Sequence, residues 1–181
     1  LLPYLKEFHQ LYPKIQLKIT NRTSSTCIDL LEQNKVDLII SNLPNPKIKE
    51  EMEQEEIFNF KDIFIAGSDF KELKTYEIEL QELINYPLLM LEAKTTTRKF
   101  LEKSLTKHGI NIKAAVELGS VDLLIEMAKI GLGIAFVPEY SLNLKNNELF
   151  KLQIKEKLPA RKLAVVKMKN IPLSKATEKF L

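Results

Sequence analysis

Apolar residues recur along this chain with two different periods, and the changes of period mark out its elements. Leu2, Leu5, Phe8 and Tyr12 fall at helical spacing, and Pro13 stops that helix, because the residue before a proline is pushed out of the α region. Ile15, Leu17 and Ile19 then alternate with polar residues, which predicts a strand. The hydroxyl-rich turn Asn21-Arg22-Thr23-Ser24-Ser25-Thr26 leads into a helix with Cys27, Leu30 and Leu31 on its apolar face. Val36-Asp37-Leu38-Ile39-Ile40 is nearly all apolar and is bounded by Ser41-Asn42-Leu43-Pro44, the pattern of a parallel strand covered on both faces.

Residues 45–55 read as a polar, acidic connection, followed by strands at Ile57–Phe60 and Ile63–Ala66. A second run of alternating elements follows. It comprises a short helix on Leu80, Leu83 and Ile84, a strand at Leu88–Leu91, and a helix from Arg98 to Lys107 closed by Gly109. A strand at Ile112–Leu118 and a helix capped by Gly119-Ser120 and running to Ile130 come next. Gly131-Leu132-Gly133 turns the chain into a strand at Ile134–Val137, stopped by Pro138. Strands at Leu149–Leu152 and Leu163–Val166 and an amphipathic helix at Leu173–Leu181 complete the pattern. Strands alternating with helices of about ten residues predict an α/β fold, with parallel sheets covered by helices on both faces. Two such runs, divided near residue 66, predict two lobes.

Composition narrows the functions open to such a fold. No apolar run is long enough to span a bilayer, and no charged-then-apolar leader opens the chain, so a cytoplasmic protein without membrane partners is expected. The single cysteine, Cys27, excludes an internal disulfide and fits a reducing compartment. A net charge of +3 is too small for a nucleic-acid footprint. With one cysteine and two histidines (His9 and His108) at no ligand spacing, no metal site is expected. Gly131-Leu132-Gly133 leads from helix to strand, the reverse of a dinucleotide- or phosphate-binding loop, so no cofactor is expected. No serine sits in a nucleophile elbow and no acid–base constellation is visible, so an enzyme is not expected.

What remains is binding. Of the 27 basic residues only Arg22, Arg98 and Arg161 are arginine, the better bidentate clamp for anions. Two turns join an arginine and hydroxyls to a helix start: Arg22–Thr26 and Lys94-Thr95-Thr96-Thr97-Arg98-Lys99. A helix N-terminus exposes unpaired N–H groups and partial positive charge, yet the second turn gathers cations where an isolated helix would want acids. An anion docked there, with threonine hydroxyls as extra donors, resolves that conflict. The competing reading is that Thr95–Thr97 only cap the helix. Ser120, with Asp122 behind it, reads first as another cap.

The order of these segments resembles the substrate-binding domain of LysR-type transcriptional regulators. Leu2-Pro3, Phe8 and Tyr12-Pro13 are similar to the opening of that domain, and Leu30-Leu31-Glu32 through Ile40 resembles its "LL..G.LDLAI" segment. Tyr86-Pro87-Leu88-Leu89 with Thr95–Arg98 is similar to its "PLI" strand and ligand-contact turn. Gly119-Ser120 through Ala128 and then Gly131–Pro138 resemble its "S…LV..GLGIA.LP" block, the most specific match.

The resemblance implies two Rossmann-like lobes joined by two crossover strands, a type 2 periplasmic-binding-protein-like fold. Lobe one would be residues 1–66 plus 149–181 and lobe two 67–148, with the ligand cleft between them. It also implies ligand contacts from Asn21, Thr23 and Ser24, from Ser41 and Asn42, from Thr95, Thr96, Thr97 and Arg98, and from Ser120 and Val121. The implied effector is a small molecule, and the cationic turn favours a carboxylate or oxyanion. The family's first strand and its DNA-binding helix-turn-helix are expected to precede Leu1, so DNA would be reached only through that further domain. A homodimer or homotetramer is implied, pairing the Leu2–Tyr12 helix with the Arg98–Lys107 helix of a partner. The rival reading is a stand-alone periplasmic-type solute-binding protein serving transport.

Overall fold

The computed structural model describes residues 2–142 and 148–181. In chain order its elements are α1 (Leu2–Leu11), α2 (Ser24–Glu32), β1 (Ile39–Leu43), β2 (Met52–Phe60), β3 (Asp62–Gly67), β4 (Glu77–Ile78) and β5 (Leu88–Leu91). Then come α3 (Thr96–Thr106), β6 (Val116–Leu118), α4 (Val121–Lys129), β7 (Ile134–Pro138), β8 (Leu149–Lys151), β9 (Gln153–Ile154), β10 (Arg161–Met168) and α5 (Lys175–Phe180). Short 3-10 turns fill Ser68–Lys74, Leu80–Asn85 and Glu139–Ser141.

A five-stranded sheet, in the order β6-β5-β7-β3-β8, carries the larger core. Every residue of β3, β5 and β7 is buried, because both faces of the sheet are covered. Successive side chains alternate between those faces. Phe64, Ala66, Leu88, Met90, Ile134 and Phe136 pack with Leu101 and Leu105 of α3. Ile63, Ile65, Leu89, Leu91, Ala135 and Val137 pack with Leu124, Ile125 and Ala128 of α4. Gly131 takes φ +77 after α4, a left-handed turn that returns the chain to the sheet. A β-carbon on Gly133 would collide with the Pro87 carbonyl, so this glycine permits the close approach of β7 to β5.

The smaller sheet has the order β1-β10-β2 and is antiparallel throughout. Its core is Ile28 and Leu31 of α2 against Ile39, Met52 and Val166. β2 is buried only at its two ends, Met52 and Phe60. Cross-strand ion pairs, Glu56 with Lys162 at 2.6 Å and Glu53 with Lys167 at 3.4 Å, line this edge with charge.

Several expectations need correction. The expected strand at Ile15–Ile19 has no sheet partner among the described residues, and Leu17 and Ile19 are exposed. Alternation shows which face of a strand can be covered, whereas a strand also needs a neighbour to bond. The expected parallel strand at Val36–Ile40 is instead β1, which begins at Ile39 and pairs antiparallel with β10. The acidic stretch 45–55, expected as a connection, supplies the first half of β2 from Met52. Parallel pairing in the large sheet is confined to β5 with β6 and with β7, while β3 pairs antiparallel with both its neighbours. The strand expected at Ile112–Leu118 shrinks to Val116–Leu118.

The chain passes between these two sheets twice, at Lys61 between β2 and β3, and again between β8 and β10 by way of β9, which pairs with β4 in a separate two-stranded sheet. β3 and β8 belong to the five-stranded sheet.

Candidate functional site

Both passages between the sheets are marked by a charged residue that is almost wholly buried. Asp62 opens β3, Arg161 opens β10, and their side chains pair across 2.9 Å, Arg161 Nη1 donating to Asp62 Oδ2. Arg161 is 2% exposed and Asp62 5%. The guanidinium also donates from Nη1 to Thr97 Oγ1 at 3.1 Å, and from Nε to the Leu43 carbonyl at 3.3 Å. The rings of Phe60 and Phe100 flank it, with their centroids 5.3 and 5.0 Å from the guanidinium carbon. One atom of each partner is left over: Arg161 Nη2 and Asp62 Oδ1 are buried and have no hydrogen-bond partner among the described residues. Burial pushes the Asp62 carboxyl above its ordinary range, and the charge of Arg161 only partly offsets this.

Besides the Arg161–Asp62 pair, two hydrogen bonds tie the two bodies together at this junction. One is Arg161 to Thr97, between β10 and α3. The other runs from the Tyr140 hydroxyl, just after β7, to Asn42 Oδ1 on β1 at 3.0 Å. Burial raises the Tyr140 hydroxyl above its usual range; Asn42 and Arg161 act in the lowering sense and Asp62 in the raising one. Phe58 and Phe60 stand edge-on to Tyr140, with centroids 5.8 and 4.9 Å away, and form an aromatic wall beside the ion pair. A recess of about 420 Å³ adjoins Arg161, Leu43, Pro44, Asn45 and Ile48, and the Glu56–Lys162 pair on its rim is mutually neutralised.

The threonine turn sits against this pair. Thr95 caps α3: its hydroxyl accepts from the Arg98 N–H at 3.3 Å and donates to the Glu92 carbonyl at 2.8 Å. Thr96 is half-buried, and Thr97, 4% exposed, accepts from Arg161. The backbone N–H groups of Thr96 and Thr97, in the first turn of α3, have no partner among the described residues.

The cations of this turn are largely spent on neighbours. Arg98 Nε pairs with Glu102 at 2.7 Å, and its Nη1 with Glu117 at 3.1 Å and with the Leu91 carbonyl. Lys94 pairs with Glu92 at 3.2 Å.

Among the described residues, only Asn42 of the other expected contacts is bonded to a residue of this junction. Ser41 is buried and accepts from Asn45 Nδ2 at 3.1 Å. Asn42 holds Tyr140. Thr23 caps α2, accepting from the Thr26 N–H at 3.3 Å, with Ser24 beginning the helix and Asn21 exposed. Ser120 caps α4, accepting from the Leu123 N–H at 3.3 Å, and Val121 is half-buried. Cys27 donates to the Arg22 carbonyl at 3.6 Å, and burial raises its thiol, the setting of an inert packed cysteine. Sequence reasoning singled out Arg161 only as one of three arginines in the chain, without placing it at a site, and missed Asp62, Tyr140, Phe60 and Phe100.

No group of three His, Cys, Asp or Glu capable of holding a metal occurs among the described residues. No helix among them is long and apolar enough to cross a membrane.

Comparison with known proteins agrees with this architecture. The model of the LysR substrate binding domain matches residues 1–181. The chain is 27% identical over 180 residues to the HTH-type transcriptional activator CmpR of Synechocystis, covering 98% of this chain and 58% of that protein. It is 22% identical over 177 residues to the uncharacterized HTH-type transcriptional regulator YbhD of Escherichia coli K12, covering 96% of this chain and 55% of that one. The chain therefore spans a little over half the length of these relatives. Among solved structures, the regulatory domain of CcmR from Synechocystis PCC6803 in complex with 2-PG superposes with a TM-score of 0.88. It shares 23% identity, with 99% of this chain and 86% of that one covered. The effector binding domain of QuiR in complex with shikimate superposes with a TM-score of 0.85 at 16% identity, covering 99% and 85% of the two chains. These neighbours share the α/β, type 2 periplasmic-binding-like fold. With its whole length matched by the domain model, the chain belongs to the LysR substrate-binding domain family.

Proposed function

We propose that this chain is the effector-sensing domain of a LysR-type transcriptional regulator, and that it binds a small anion between its two sheets without transforming it. The two lobes are the bodies built on the three-stranded and the five-stranded sheet, and the cleft is the junction around Arg161. The observation that carries the reading is the start of α3: two unpaired N–H groups, at Thr96 and Thr97, beside a buried arginine. Oriented donors in a largely buried corner are what an oxyanion or carboxylate needs. Thr95 to Thr97 supply the core contacts, and Arg98 holds the helix start in place through Glu102 and Glu117. Ser41 and Asn42 close the site from β1, and Ser120-Val121 and the Asn21–Ser24 turn complete its rim.

A ligand that prefers one arrangement of the two sheets passes that preference to a DNA-binding helix-turn-helix elsewhere in the protein as a coupling free energy. The relatives in hand are helix-turn-helix regulators, which favours this reading over a solute-binding protein for transport. A cytoplasmic homodimer or homotetramer follows from the same reading, with Tyr4 and Leu11 of α1, both widely exposed, set against α3 of a partner.

The test is a thermal-shift screen of acetate, succinate, lactate, sulfate and phosphate, followed by calorimetry of the hits. Thr96→Val removes a half-buried donor and is expected to weaken a hit by about 1–3 kcal/mol. Unchanged affinity in both Thr96→Val and Thr97→Val would sink the assignment of this turn.

A further inference from the structure

The buried ion pair at the junction is not self-sufficient. Each partner keeps one polar atom out of water and without a bond: a guanidinium nitrogen that can only donate, and a carboxylate oxygen that can only accept. A bare anion would satisfy the first and repel the second. A neutral donor such as an ammonium or amide would do the reverse.

We infer that Arg161 and Asp62 together select a small oxyanion that also carries a hydroxyl or an acidic proton, Arg161 Nη2 donating to the anionic oxygen and Asp62 Oδ1 accepting from the O–H. This inference rests on the reading of the junction as the effector cleft, and it names the ligand class. The members of that class are hydroxycarboxylates and phosphate in its protonated forms. Sulfate and simple carboxylates fall outside it at neutral pH, because they bring no proton for Asp62.

Two further observations bear on the same site. Thr97 joins Arg161 to the start of α3, so an anion held by Nη2 lies close to the unpaired N–H groups there. Burial already pushes the Asp62 carboxyl upward, and that retained basicity strengthens it as an acceptor.

Two matched pairs of probes separate the alternatives: phosphate against sulfate, and lactate against propionate. Each pair differs chiefly in the O–H, and the two pairs distinguish the phosphate from the hydroxycarboxylate source. The ¹⁵N-labelled chain is titrated with each at neutral pH and millimolar concentration, following the Arg161 side-chain signals and the Thr96 and Thr97 amides. Phosphate or lactate is expected to shift the Arg161 signals and to bind about tenfold or more tighter than its proton-less counterpart. In Asp62→Asn the amide donates, and the preference is expected to shrink or reverse in favour of sulfate or propionate.

Equal binding within both pairs in the wild-type chain overturns the inference, and this arm needs no variant to fold. Shifts at Thr96 and Thr97 with none at Arg161 overturn it while leaving the cleft reading intact. Probes that move neither set of signals overturn both.

Discussion

The two larger sheets of this molecule solve the problem of burial in different ways. In the five-stranded sheet, β3, β5 and β7 are covered from both sides by α3 and α4, and no position on them faces water. In the three-stranded sheet, β2 is exposed along its whole middle, and α2 covers one small cluster. The first is a closed body and the second an open one. Helix α3, which presents the threonine turn, is anchored in the closed body through Leu101 and Leu105, both essentially inaccessible. Asn42 and the Leu43 carbonyl stand on the open one. The donors on α3 therefore have a fixed platform, and the part facing them has the weaker hold on its own shape.

The largest expected break in that comparison comes from hollowing the closed body. Leu101→Ala leaves a cavity under α3 and is expected to cost about 2–5 kcal/mol in urea unfolding. Hydrogen exchange in the unaltered protein is expected to show β2 amides opening well before those of β5 and β7. Equal protection of the two sets would erase the distinction.

Caps give a smaller and more local contrast. Thr95→Ala removes the cap of α3 and is expected to cost about 1 kcal/mol. Thr23→Ala at α2 is expected to cost less in global unfolding, because its helix covers the smaller core. Similar losses in both would mean that the two bodies unfold together.

The smallest effect is a slope with pH. Burial raises the Asp62 carboxyl in the folded protein, so the folded chain holds that proton more tightly than the unfolded one does. The resulting stability is full below the unfolded value and is lost as pH rises through the raised folded value. Urea midpoints measured across the acidic range are expected to show that loss in the wild-type chain and not in Asp62→Asn. Arg161 is the neighbour that partly offsets it.

The closed body is legible in the sequence for the same reason that it is stable. Leu88–Leu91 and Ile134–Val137 are apolar at every position because both faces must be, and Gly131 and Gly133 punctuate the turn between α4 and β7. The open body is not legible, because its strands are defined by their partners. Glu53, Gln54, Glu55 and Glu56 carry no strand signal, yet they pair with Val166, Val165 and their neighbours in β10. Ile15–Ile19 fails in the opposite direction, having alternation without a partner.

The site divides along the same line. Thr95 and Ser120 announce themselves as caps by local spacing alone. Arg161 does not, since an arginine in an ordinary stretch reads as surface, and only Asp62, 99 positions earlier, permits its burial. No window of local sequence contains both.

That separation also orders events as the chain is made. Arg161 lies 118 positions after Leu43 and belongs to the middle strand of the small sheet, which β1 and β2 cannot form without it. Every strand of the large sheet leaves the ribosome before β10 does. The closed body is thus free to fold while β1 and β2 wait unjoined, with their edges open to other chains. Closing so long a loop is slow, and β10 ends the wait by pairing with both strands at once. The residue that begins it also brings the last charge into the junction, so the junction is complete only as the final strand docks.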